Sequence, residues 1–276
     1  MTSFKEIFKK TLVILHLYTI ADNIHKVFVV IKQANLFKSF YYSFILLGSW
    51  KAFKLPIIVC RRVKFRRIGV VIIDGPIKPF MIQIGYNSIP AIDDNGQRTV
   101  FYNLGKIHFG GPAIVHPGAK IWVEKDAVLD FLGYNVIGAN SFIACHKHIE
   151  FGLYSGFSWD CQVFDTDFHY MKDIIGNTVY NKVQEILIGN DVFIGNHVNI
   201  GKGTKLPNGT VVSSWSNVSG SFVKKGENTL FAGSKASAVD SGYYIAHGYK
   251  MYLDNQFGEE FCQKKQKWSE LILYYA

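Results

Sequence analysis

Cysteine is scarce in this chain: Cys60, Cys145, Cys161 and Cys262 are widely spaced and form no C-x-x-C pair. A disulfide framework of the kind that staples small secreted domains is therefore not expected, and the thiols read as reduced in a cytosolic protein. Long apolar runs are also lacking. The longest uncharged run in the N-terminal segment, residues 11–21, falls well short of the roughly 20 residues that span a bilayer. Lys5, Lys9 and Lys10 before it mimic a secretion signal, but the helical pattern continues through Ile24, Val27, Phe28 and Ile31 without a cleavage signal. Neither secretion nor a transmembrane span is expected. Acidic residues are nearly missing from one end. Residues 1–67 hold 13 Lys and Arg against Glu6 and Asp22 alone, while the other 209 residues carry 17 basic and 19 acidic groups. The net charge of +9 is thus concentrated at one end, which calls for an anionic surface or ligand there.

What is present is a repeat. Counting in sixes from Ile188 gives Ile194, Ile200, Leu206, Val212 and Val218, all aliphatic. Four positions further on stand Val192, Val198, Thr204, Thr210, Ser216 and Phe222, mostly small or β-branched, and Gly189, Gly195 and Gly201 follow the first three aliphatics. Ile137, Ile143 and Ile149 keep the same spacing, which then degenerates at Ser155 and Cys161, and 115–119 and 123–127 are fragments of it. The separation of Cys161 from Ile188 is no multiple of six, so a segment containing DTDFHY is inserted between them.

A strand points alternate side chains to opposite faces, so one aliphatic every sixth residue supplies one inward anchor per short strand. Three such strands make an 18-residue coil whose perimeter, at ~3.3 Å per residue, is roughly 60 Å, or ~20 Å a side. Small residues and glycine suit the corners, where the backbone bends sharply. The expected core is therefore all-β, a parallel β-helix over 56–235 with an inserted loop at 162–187. A basic helical extension at 1–55 precedes it, with helices expected over 4–33 and over 36–53; the second carries Phe37, Phe40, Tyr41, Phe44 and Leu47 on one face. A turn at 93–96 interrupts a β-like stretch from 57 to 107. A short extension at 236–276 follows, with a helix expected over 259–275.

Three stretches, WDCQVFDTDFH (159–169), ILIGNDVFIGNHVNIGKG (186–203) and LPNGTVVSSWSNVSGSF (206–222), resemble the hexapeptide-repeat acyltransferases, in particular the acetyltransferases of bacterial surface-polysaccharide synthesis. The resemblance covers roughly residues 54–235. It implies a left-handed winding, a homotrimer with active sites between neighbouring prisms, and acetyl-CoA lying along a prism edge. It also implies a saccharide acceptor and a catalytic histidine that matches His169. The chain departs from the family at Phe193, where Trp is frequent, at Trp215, where Gly is usual, and at 233–237, where the exit motif lacks its proline.

Acyl transfer to a sugar hydroxyl needs a base with a near-neutral pKa, which His169 supplies. Asp165 and Asp167 flank it, and Asp167 is the preferred partner to fix its tautomer. The backbone N–H of Gly195 is a candidate oxyanion donor. Ser213, Ser214 and Trp215 fall on the expected pantetheine path, and Lys202, Lys205 and Lys235 are candidates for the phosphates of coenzyme A. Trp159, Tyr170 and Tyr154 could stack on a sugar ring or pack on a neighbouring subunit, and Asp165 could hydrogen-bond an acceptor.

Zinc chemistry is not expected, because His146, His148, His169 and His197 lack the H-x4-H spacing of β-helix carbonic anhydrases. The run of Arg61, Arg62, Lys64, Arg66 and Arg67 comes with no nucleic-acid fold motif, so no nucleic-acid partner is expected. Peripheral contact of residues 1–67 with the inner face of a membrane, where lipid-linked saccharides are found, stands beside a helical hairpin packed on the prism. N-acetylation of an amino-sugar nucleotide, and an inactive scaffold with Trp215 filling the groove, remain as alternatives.

Overall fold

A computed structural model describes residues 28, 30–48, 50–87, 97–173 and 175–242. All but the end of the helix expected over 4–33 lies outside these residues, as do the turn at 93–96, Cys262 and the helix expected over 259–275.

From β1 (Ile57–Val59), β2 (Val63–Arg67) and β3 (Val70–Ile73) onward the chain winds as a three-sided parallel β-helix. Each of these strands starts one face of a prism, and later strands join the three faces in rotation. In the later coils the register is 18 residues: Ile188 lies over Leu206, Ile194 over Val212 and Ile200 over Val218. All six side chains are buried. The earlier turns are longer. Phe109 pairs with Phe131, 22 residues on, and Phe131 with Phe151 after 20. Strands there run to four residues, as in Lys120–Val123, against two in Asn199–Ile200, which is why a six-residue count fades upstream.

Identical register makes ladders inside the prism. On the third face Phe109, Phe131 and Phe151 stack nearly parallel, with ring centroids 5.2 and 5.4 Å apart. On the second face Phe101, Ile121, Ile143, Val163, Ile200 and Val218 form the matching aliphatic column. Corners are turned by left-handed residues. Asn140, Asp160, His197 and Trp215 occupy successive turns of the edge between the first and second faces, with φ of 58°, 57°, 55° and 63°.

The coil that contains Ile149 and its partner Ile186 spans 37 residues and carries the insertion. Gln162–Phe164 and Ile186–Ile188 at its ends are strands of the prism, so the loop proper is 165–185, shorter than 162–187. It holds an antiparallel pair, Met171–Lys172 with Val179–Tyr180. At the far end Thr229–Ala232 extends the first face and Ser237–Ser241 pairs antiparallel with it.

The N-terminal end is closed by α1 (Leu36–Leu47), capped by the Asn35 side chain, which accepts from the Lys38 N–H, and by Gly48 in the left-handed region. The expected helix over 36–53 is thus broken at Gly48, and Trp50–Lys54 forms a 3-10 turn. α1 presents an unexpected face inward. Ser39 Oγ accepts from the Val59 N–H at 2.9 Å, Ser43 Oγ donates to the Ile57 carbonyl at 3.3 Å, and the Asn35 N–H donates to the Val59 carbonyl at 2.8 Å. β1 is an edge strand whose outward backbone groups need partners, and serine supplies them where phenylalanine cannot. Phe37, Phe40, Tyr41 and Phe44 are consequently exposed.

His116 is buried near this end, its Nδ1 3.0 Å from the Tyr86 carbonyl. Burial pushes its pKa down to about 4, against the opposing pull of that carbonyl. Between the unfolded value near 6.5 and about 4 the unfolded chain holds a proton that the folded chain refuses. Stability present above pH 6.5 should therefore fall as the pH drops to about 4, by up to ~3 kcal/mol. Denaturant midpoints measured across that window should slope in the native protein and flatten in His116→Gln.

Candidate active site

The insertion leaves the prism at the edge between the second and third faces, and its base is held rigidly. Asp165 has no exposed surface. Its Oδ1 accepts from the His146 N–H at 2.7 Å, and its Oδ2 accepts from those of Lys147 at 2.7 Å and His148 at 2.9 Å. Burial raises its pKa, and these three donors pull it back down. Asp165 is thus a structural clamp on the corner of the preceding coil. It is not available to an acceptor or to His169, as the sequence had allowed.

Asp167 makes an ion pair with Lys202, whose Nζ also donates to the Asn181 carbonyl at 2.5 Å. The next coil therefore staples both arms of the loop. This corrects two expectations: Asp167 faces a lysine rather than the His169 ring, and Lys202 is engaged with the loop rather than open to a phosphate. The Asp167 N–H donates to the Lys182 carbonyl at 2.9 Å, which closes the arms further.

Between clamp and histidine stands Phe168, in the left-handed region at φ 61°, its N–H donating to Thr166 Oγ1 at 2.9 Å. Its ring sits against Trp122, His146 and Phe164, with centroids 5.8, 5.3 and 5.7 Å away. Phe168 leans on these side chains while staying partly exposed, and His169 beyond it is exposed to solvent, its ring without a hydrogen bond or ion pair to any described residue. Tyr170 is exposed beside it, with the Lys182 ammonium 5.1 Å from its ring centroid.

The sequence reading missed this aromatic seat. Trp122 and Phe164 stand on the outer side of the second face with only Ala144 between them in register. His146, weighed only as a metal ligand, packs 4.9 Å from Trp122, and its Nε2 is buried without a partner among the described residues. Aromatics spaced to meet across adjacent coils were the available signal, hidden by turn lengths that vary.

The other candidates lie on the edge between the first and second faces. Trp215 is 71% exposed and stacks on His197 with centroids 4.1 Å apart and planes 16° from parallel. Ser214, Lys235 and Trp159 are exposed on the same edge, and Ser213 is half-buried. Gly195 does not fit its expected role. Its N–H already donates to the Val212 carbonyl at 2.8 Å, and a Cβ there would meet the Ser214 nitrogen at 2.7 Å. The glycine serves close coil stacking and offers no oxyanion donor.

Lys205 pairs with Glu185 at 2.8 Å and lowers that carboxyl's pKa. Tyr154 stacks on Tyr134 at 4.8 Å on the third edge, away from both candidate sets. In one chain, then, His169 and the exposed set of Ser214, Trp215 and Lys235 occupy different edges of the prism.

Among the described residues one set of metal-type ligands converges: donor atoms of Asp130, His148 and Glu150 lie within 4.8 Å of one another. Asp130 is already shared by two imidazoles, with His108 Nδ1 at 3.1 Å and His148 Nε2 at 2.9 Å, in a ladder that runs on to Asp74. The ladder lies on the outer side of the third face, outside both candidate sets.

No family model and no curated protein sequence matches the chain. Solved structures do. The polysialic acid O-acetyltransferase OatWY is 23% identical over 64% of this chain and 77% of its own, with a TM-score of 0.36. A variant of AntD, an N-acyltransferase from Bacillus cereus in complex with dTDP and coenzyme A, is 16% identical over 59% of this chain and 85% of its own, with a TM-score of 0.42. The polySia specific acetyltransferase NeuO is 16% identical over 74% of this chain and 82% of its own, with a TM-score of 0.35.

The clamp makes a direct prediction. In Asp165→Asn one oxygen replaces two, and at least one corner N–H loses its acceptor. Stability should fall by about 1–3 kcal/mol in denaturant titrations, with the far-ultraviolet β signature retained.

Proposed function

We propose that the protein transfers an acyl group, acetyl in the first instance, from coenzyme A to a saccharide hydroxyl, with His169 as the general base. The observation that carries this reading is the presentation of His169. The prism sends out an excursion at residues 165–185, staples it to the neighbouring coil through Asp167 and Lys202, and uses it to hold the His169 imidazole in solvent. The resemblance of DTDFH to the family's catalytic loop points the same way.

The chemistry follows from such a base. His169 takes the proton of the acceptor hydroxyl as the oxygen attacks the thioester carbonyl. The tetrahedral intermediate then collapses, the carbon–sulfur bond breaks, and the imidazolium returns its proton to the departing thiolate. Trp122 at the base of the loop and Phe168 within it offer apolar faces to a sugar ring.

The donor groove and the base stand on different edges, one face apart. A cyclic homotrimer brings the loop edge of one copy against the groove edge of the next, since head-to-tail contacts close into a ring. Ser213, Ser214, Trp215 and Lys235 would then line the coenzyme A path of the neighbour. The cationic end supports a peripheral position at the inner face of a membrane, where a lipid-linked form of the acceptor would lie.

In His169→Ala, turnover with a saccharide acceptor should drop by roughly 10²–10⁴-fold, while calorimetric binding of acetyl-CoA stays as in the native protein. Undiminished turnover in the variant, or no binding of acetyl-CoA by the native protein, overturns the reading. Near-complete loss with hydroxyl acceptors and weaker loss with amines separates O- from N-transfer.

A further inference from the structure

The outward face of α1 is large, apolar and continuous. Phe37 is 81% exposed, and Phe40, Tyr41, Phe44 and Ile45 share the helix with it. Phe40 meets Phe53 edge-on at 5.9 Å, which carries the patch into the 3-10 turn, where Trp50 is 67% and Phe53 72% exposed. Isolated exposed aromatics are ordinary, but a contiguous group of this size marks a contact surface. The face is not an error of packing, because Ser39 and Ser43 must face inward to serve the edge of β1.

The charge around it is of one sign. Between residue 28 and Asp74 the chain has nine Lys and Arg and no acidic residue. Lys38 Nζ, on α1, donates to the carbonyls of Arg61 at 3.2 Å and Val63 at 3.3 Å, which ties the helix to the basic strand β2. Beside this junction a cavity of about 280 Å³ is lined by Lys32, Arg61 and Arg62, with Gln33 and Gln97. The Lys54 ammonium lies 5.5 Å from the Trp50 ring, so cations and aromatics are interleaved.

We infer that this surface docks on an anionic phospholipid bilayer, with the aromatic face entering the headgroup boundary and the cations meeting lipid phosphates. Large aromatics flanked by Lys and Arg fit that boundary, where rings sit at headgroup level and basic side chains reach anionic lipid. Charge selects this occupant over two others. A second copy bringing the same face would oppose nine cations to nine. Residues 1–27 hold four lysines against Glu6 and Asp22, so they complement the patch no better. The inference deepens the membrane placement proposed above and does not rest on acyl transfer.

The test is co-sedimentation of the full chain, without acyl donor, with phosphatidylcholine vesicles and with phosphatidylcholine–phosphatidylglycerol vesicles at low and high salt. The native protein should pellet with the anionic vesicles at low salt and much less with neutral ones. R61E/R66E/R67E should lower the partition coefficient on the order of a hundredfold, and F37S/F53S about tenfold. Both variants should keep the native melting temperature, since Phe37, Phe53, Arg66 and Arg67 are exposed. Failure of the native protein to bind anionic vesicles overturns the inference. So does binding that F37S/F53S leaves unchanged, which would assign the contact to residues outside the face. A fall in light-scattering mass in F37S/F53S without vesicle binding by the native chain would assign the face to a second copy.

Discussion

Parallel register between successive coils is the constraint on which the molecule depends. Each backbone N–H and C=O along a face must find the coil above or below, and that lattice fixes where every inward side chain falls. Phe131 rests on Phe109 and beneath Phe151 because the hydrogen-bond ladder leaves it no other place. The corners obey the same lattice. They tolerate left-handed Asn140, Asp160, His197 and Trp215, and where two coils approach closest they require a residue without a side chain, as at Gly195.

A stack of coils has two ends, and each is an unpaired edge. The N-terminal end is closed by helix serines that answer the backbone of β1, and the far end by the antiparallel strand Ser237–Ser241. The first solution shapes the surface as much as the core. A helix that turns its hydroxyls inward must turn its aromatics outward, so the apolar face of α1 is a by-product of edge satisfaction, and the basic strand beside it gives that face a chemical character.

The later coils were legible in the sequence because there the period is a strict six, and each of the aliphatic residues from Ile188 to Val218 is buried. The earlier coils were legible only in fragments. Turns of 20 and 22 residues keep register in space while losing it in sequence, so Trp122 and Phe164 never looked like neighbours. The orientation of α1 was hidden for a different reason. Helical periodicity reports which residues share a face, and the partner decides which face is buried; here the partner is an unpaired strand edge and not an apolar sheet. At the candidate site the residue type of His169 and the existence of an insertion were readable, whereas the partners of Asp165, Asp167 and Lys202 were not. Their roles depend on which coil lies beneath the loop and which above, and no local pattern encodes that.

The staple from Lys202 to the loop has a mechanical implication. Asp165 grips the coil below through the amides of residues 146–148, while Asp167 is gripped from the coil above. The loop is thus held across two turns of the winding, so its posture depends on the spacing between them. A change in that spacing would be passed on to the residues that follow, His169 among them. The imidazole is in this sense a pointer mounted on the stack, and its aim is calibrated by a repeat built only to hold itself together.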